Sequence, residues 1–164
     1  MPSRRKTREF VLQVLFAADA RNQDPVDVLD FLERHFDSEP EESLKMGRVV
    51  KDFARELVCA VSRDKQVIDS IIAKCSTNWK LYRINRVDRN ILRMAIAEMT
   101  TFPDSPGPVI LNEAIEIGKK YGAENSGSFI NGVLDKVQAS GLRPESAIKL
   151  GEFLDKLDES VTKV

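Results

Sequence analysis

The chain has 164 residues, of which 42% are hydrophobic and 31% charged, with a formal net charge of −1. A chain of that size buries about 70% of its unfolded surface, so one domain, or two small packed halves, needs no disulfide or metal to hold a core. The charge balance excludes a polycation, two scattered cysteines (Cys59 and Cys75) and a single histidine (His35) speak for a reducing, cytoplasmic setting without metal or cofactor chemistry, and no apolar run is long enough to cross a membrane.

Helical spacing begins at about Arg4. Phe10, Val14 and Ala17 repeat at i, i+4, i+7, and Val11, Leu15 and Ala18 do so one position later, giving the wide apolar face of a buried helix. Its first turns hold Arg4, Arg5, Lys6 and Arg8. A helix start already carries roughly half a positive charge, so each cation there is unfavourable by about a few tenths of a kcal/mol. A second helix follows Asp24, a plausible N-cap, with Pro25 at its first position and Val28, Leu32 and Phe36 along one side. His35 falls on its shoulder.

After the acidic linker 37–42, a third helix is expected over Val50–Val61 and a fourth over Val67–Cys75, separated at Ser62-Arg63-Asp64. A fifth carries Ile91, Leu92, Ala95 and Met99. Three prolines and a glycine between Thr100 and Pro108 end it. A sixth bears Ile110, Ala114, Ile117 and Tyr121, with Glu116 and Lys120 paired at i, i+4 and Gly122 suited to a left-handed cap. Ser126 caps a seventh, bearing Phe129, Ile130, Val133, Leu134 and Val137. Asn131-Gly132 resembles a hairpin turn, but the flanking apolar residues keep a helical period, and Gly132 suits the close approach of a neighbouring helix. Last, Ala147, Leu150, Leu154, Leu157 and Val161 trace an amphipathic helix that packs on the body, pairs with another chain or stays mobile. The expectation is an all-α chain: a helical domain over 1–140 and a helical extension over 141–164.

Enzymatic machinery is not visible. No nucleophile elbow, phosphate-binding glycine loop or metal-ligand cluster occurs, and the carboxylates sit at helix-surface spacings beside Lys and Arg. The basic helix start suggests a different role. Cations joined to the free N–H groups of a helix end make a concentrated phosphate-binding surface, and an anionic partner would neutralise charges that are costly there. Four phosphates on a single strand would give a slope of log K against log salt near −3, from about −0.7 each. Base recognition also needs aromatic faces and amides; Gln13, Tyr121, Asn125, Phe129, Trp79 and Tyr82 are candidates, with core packing the commoner fate of Trp79 and Phe129.

Between Asn78-Trp79 and Lys136 the sequence closely resembles the NusB family of transcription antitermination factors. The shared pieces are Asn78-Trp79, Arg86-Val87-Asp88-Arg89, Ile91-Leu92-Arg93 with Ala95 and Glu98, Asn112-Glu113-Ala114, Lys119-Lys120-Tyr121-Gly122 and Phe129 through Lys136. With the basic start the likeness covers roughly 3–138. It implies two packed three-helix bundles, about seven helices in all, and no enzymatic activity. It further implies binding of single-stranded boxA RNA together with the ribosomal protein NusE, within a complex that helps RNA polymerase read through rRNA operons. Carried over residue by residue, Arg4, Arg5, Lys6 and Arg8 match the basic RNA-binding start, and Tyr121, Asn125, Ser126 and Phe129 a second RNA-facing element. Phe16, Tyr82, Arg83 and Asp88 fall where NusE docks. Arg86, Arg89 and Arg93 are either ion-pair partners or an added rim. Ala97 and Gly118 stand where the family usually has an aromatic residue and alanine, and Asn125 replaces a common acidic residue. The resemblance leaves room for a homodimer that covers the basic start. The competing reading is a helical interaction adaptor whose basic N-terminus docks an acidic protein surface.

Overall fold

In a computed structural model of the chain, the structure describes residues 4–36, 48–76, 81–144 and 148–162. They form seven α-helices and no strand: α1 (Arg4–Arg21), α2 (Pro25–Phe36), α3 (Arg48–Cys75), α4 (Arg86–Thr101), α5 (Gly107–Tyr121), α6 (Ser126–Ala139) and α7 (Leu150–Thr162), with a 3₁₀ turn at Leu81–Arg83 before α4. Helices α1, α2 and α3 pack as one bundle and α4, α5 and α6 as a second. Contacts of α4 with α1 and α3, and of α6 with α3, join the two. Trp79, among the base-stacking candidates, lies outside the described residues.

The start of α2 follows local chemistry. Asp24 Oδ1 accepts the Val26 N–H at 2.9 Å and the Ser62 hydroxyl at 2.8 Å, while Pro25 fills the first helical position without needing a donor. The expected break at Ser62-Arg63-Asp64 does not occur: α3 runs unbroken through it for 28 residues. Those three residues include no glycine or proline. Leu57, Val61, Ile68 and Ile72 keep one apolar phase on both sides, and all four are buried. Three polar residues on a solvated face do not stop a helix whose inner face stays in register. The amphipathic extension packs on the body, where Leu150, Phe153 and Leu157 are buried against α3 and Lys74 pairs with Asp158.

Two glycines act differently from expectation. Gly122 is extended, φ −93° and ψ −166°, and needs no left-handed freedom. Close packing demands it: a Cβ there would stand 2.6 Å from Ser126 Cβ and 2.7 Å from the Gly118 carbonyl oxygen. Gly132 is exposed and a Cβ would meet nothing within 4 Å, so no neighbour approaches it. The tight α5–α6 contact lies instead at Gly118, where a Cβ would come 2.6 Å from Ile130 Cδ1. Gly132→Ala is therefore expected to stabilise the fold by about 0.5–1 kcal/mol through helix propensity alone. Urea unfolding measures it, and a loss of stability would reveal a contact at this face.

Candidate nucleic-acid interface

The cations at the start of α1 are not left as the sequence alone suggests. Arg5 reaches across to α5, its Nε 2.7 Å and Nη2 2.9 Å from the Glu113 carboxylate. That hydrogen bond, stronger than the opposing effect of partial burial, holds the Glu113 carboxyl below its ordinary range. Arg8 turns inward. Its side chain is 5% exposed, and the guanidinium forks onto the buried Glu98 of α4, at 2.5 Å from Nη2 and 2.9 Å from Nε. Glu9, on the same turn, accepts from Lys120 at 3.0 Å and from the Tyr121 hydroxyl at 3.0 Å. Thus three carboxylates, Glu9, Glu98 and Glu113, organise the basic start, and the mismatch with the helix dipole is largely offset inside the protein.

What stays outward is narrower than the set of four. Arg4 and Lys6 are exposed, Arg4 with its guanidinium 5.0 Å above the Phe53 ring, and the Arg5 side chain keeps 47% of its surface open. Gln13 is exposed one face along α1. Arg8, expected to meet phosphates, is instead a structural clamp between α1 and α4.

The second expected element, at the turn from α5 into α6, is drawn to α1 by the Glu9 contacts. Tyr121 is exposed beside Lys120, whose ammonium lies 5.1 Å from its ring. The expected pairing of Lys120 with Glu116 is replaced by the one with Glu9; Lys119 takes Glu116 at 3.4 Å. Asn125 is exposed and Phe129 half-buried against the core, which leaves part of its ring outward. Ser126 does not act as the cap. It sits inside the first turn of α6, fully buried, and its Oγ accepts the Ala123 N–H at 2.8 Å. Its hydroxyl is therefore a fastening of the turn rather than an outward contact.

The expected protein-docking residues divide in the same way. Phe16 and Tyr82 are exposed, the latter by 69%, with Arg86 lying 5.8 Å from the Phe16 ring and Arg83 5.9 Å from the Tyr82 ring. Exposed aromatics under guanidinium groups suit a protein partner. Asp88, however, is buried. It closes a reciprocal cap on α4, its N–H donating to Asn85 Oδ1 at 2.8 Å and its Oδ2 accepting from Asn85 Nδ2 at 3.0 Å. Burial pushes its carboxyl upward, and Ser126 and Asn85 only partly draw it back. Arg83, Asn85 and Asp88 nonetheless share a pocket of about 140 Å³ with Asn125 and Phe129, so the two expected surfaces meet at one place. Of the undecided arginines, all three pair with Asp19, Arg89 at 2.7 Å, Arg93 at 3.2 Å and Arg86 at 3.8 Å, and Arg86 is the exposed one. Cys75 is buried and its thiol pushed up by that burial, as for an unreactive cysteine.

Comparison with known proteins supplies independent findings. The NusB family profile matches residues 5–139. The transcription antitermination protein NusB of Anaeromyxobacter dehalogenans is 47% identical over 145 residues, 88% of this chain and 96% of that one. Its counterpart in Citrifermentans bemidjiense is 42% identical over 140 residues, 85% and 97% of the two chains. Among solved structures, T. maritima NusB superposes with a TM-score of 0.76 at 33% identity, covering 88% of this chain and 96% of that chain. A structure of the antitermination factors NusB and NusE in complex with double-stranded RNA gives 0.67 at 26% identity, covering 80% and 92%.

Proposed function

The chain belongs to the NusB family, and from that premise we propose that it is a transcription antitermination factor, not an enzyme, which binds single-stranded boxA RNA together with NusE. In that role it supports read-through of rRNA operons by RNA polymerase. One observation carries the RNA part of the reading. Ion pairs and a tyrosine hydroxyl from α5 lock onto α1 at Arg5 and Glu9, so the basic helix start is held beside Lys120, Tyr121 and the turn into α6. Cations that take phosphates and an aromatic face that stacks on a base are the two requirements for single-strand recognition. The exposed pair Phe16 and Tyr82, each under an arginine, offers NusE an adjoining docking surface.

Because Arg8 is buried against Glu98, three cations rather than four face outward, where phosphates can reach them. The expected slope of log K against log salt is therefore about −2, from roughly −0.7 for each phosphate. Replacing Arg4 and Arg5 together by alanine should bring the slope to about −0.7 and weaken binding about tenfold or more at low salt. A salt titration by fluorescence anisotropy, with a scrambled strand as control and with or without NusE, measures both. A slope near zero, or equal affinity for the scrambled strand, would instead favour an adaptor that docks an acidic protein surface.

A further inference from the structure

The family match ends at residue 139, and the segment beyond it helps to build a second basic cleft. This cavity of about 520 Å³ lies between the middle of α3, the end of α4 and the approach to α7. Arg63, Arg143 and Lys149 line it, together with an apolar floor that includes Val67, Met99 and Ile148. Asp64, paired with Arg63 at 3.0 Å, is the one carboxylate in the lining. Arg143 donates to the Gln138 carbonyl at 3.3 Å, and all three cations are exposed. The cleft thus has a net positive lining, and half of that lining comes from the segment after the family match.

Its position gives the charge a meaning. A neighbouring cavity of about 490 Å³ is lined by Arg4, Arg5 and Arg8 of α1, by Asp104 to Pro106, and by Val109 and Glu113 of α5, so it opens on the basic start of α1. The two cavities lie on either side of one short loop: Pro103 lines the first and Asp104 to Pro106 the second. Pro144, on the far wall, comes within 3.6 Å of where a Cβ on Gly107 would stand. From Pro103 to Pro106 the chain can span at most about 10 Å. A polyanion held at Arg4 and Arg5 that follows this loop passes the Asp104 carboxylate before it reaches the second cleft.

We propose that the C-terminal segment lengthens the RNA path. A single strand held at the start of α1 passes over the Pro103–Pro106 ridge and enters the second cleft, where Arg63, Arg143 and Lys149 take its phosphates and the apolar floor takes a ribose or base face. This rests on the RNA reading above and adds to it a binding site half of which is built by residues outside the family match. Phosphate neutralisation is sequence-independent, so the cleft adds affinity and salt dependence rather than base preference.

The test compares a boxA-length strand with the same strand extended by a few nucleotides at its 5′ or its 3′ end, using the full-length protein. Expected is tighter binding of one extended strand, about tenfold at low salt, with a slope steeper by roughly 2, from three further phosphates. The combined Arg63→Ala, Arg143→Ala, Lys149→Ala protein should lose that gain, whereas Arg34→Ala, an exposed cation on α2, should retain it. Equal affinity and slope for the short and both extended strands overturns the lengthened path and leaves the RNA reading intact. A gain that persists in the triple variant also overturns it. A protein that binds none of the strands overturns the RNA reading and this proposal with it.

Discussion

Replacing Glu98 by alanine is expected to lower the unfolding free energy by about 3–5 kcal/mol, because it strands the Arg8 guanidinium in the interior. The carboxylate is 1% exposed and receives three hydrogen bonds from Arg8. Without that fork the buried cation keeps only the Phe53 ring, 5.7 Å away at its centroid, and the more distant charge of Glu113. Removing both charges should be milder than removing one: an Arg8→Met, Glu98→Leu double variant avoids a lone buried charge and should recover most of the loss. Chemical denaturation of the parent and the two variants checks this. A Glu98→Ala protein as stable as the parent would mean that Arg8 swings out to solvent, and would return Arg8 to the set of candidate phosphate contacts.

Asp19→Ala should cost about 2–3 kcal/mol. Asp19 Oδ2 gathers Arg89 at 2.7 Å, Asn90 at 2.9 Å and Arg93 at 3.2 Å, tying α1 to α4. The cost falls below that of Glu98 because Arg93 keeps Asp69, at 2.7 and 2.9 Å, and Asp19 remains partly solvated. Burial alone would raise the Asp19 carboxyl, but hydrogen bonds from Arg89 and Asn90 and the charges of Arg93 and Arg89 outweigh it, so its pKa is lowered. The sign follows from that direction. The contribution is fully present above the ordinary carboxylate value of about 3.9 and is lost as pH falls through the lower folded value. Asp19→Asn should therefore flatten the acid limb of the stability–pH curve below about pH 4, leaving the neutral region offset but parallel. Asp88 acts oppositely: its raised carboxyl takes stability away as pH rises through its folded value. If Asp19→Asn left the acid limb unchanged, the network would not be the acid-sensitive joint between α1 and α4.

Much of the fold was open to reading in one dimension, because helix starts, apolar phase and breakers act over a few residues. The Asp24 cap, Pro25 at the first position and the proline-rich stop before α5 are local chemistry, and all three stand where expected. The continuous α3 was legible too, had its phase been weighed above a polar triplet: Leu57, Val61, Ile68 and Ile72 never leave the inner face. Gly132 and Gly122 could not be judged this way, since a glycine's purpose depends on what stands opposite it.

The sequence by itself determined that the chain is helical, where its basic residues cluster, and which family pattern its motifs carry, since these depend on residue type and spacing alone. The tertiary structure decided which of those residues face outward. Arg4, Arg5 and Lys6 remain at the surface, while Arg8, Asp88 and Ser126 turn into the fold. A charged side chain goes inward only where an opposite charge or a donor waits, and those partners, Glu98 for Arg8 and Asn85 for Asp88, are set by how α1, α4 and the turn before α4 meet.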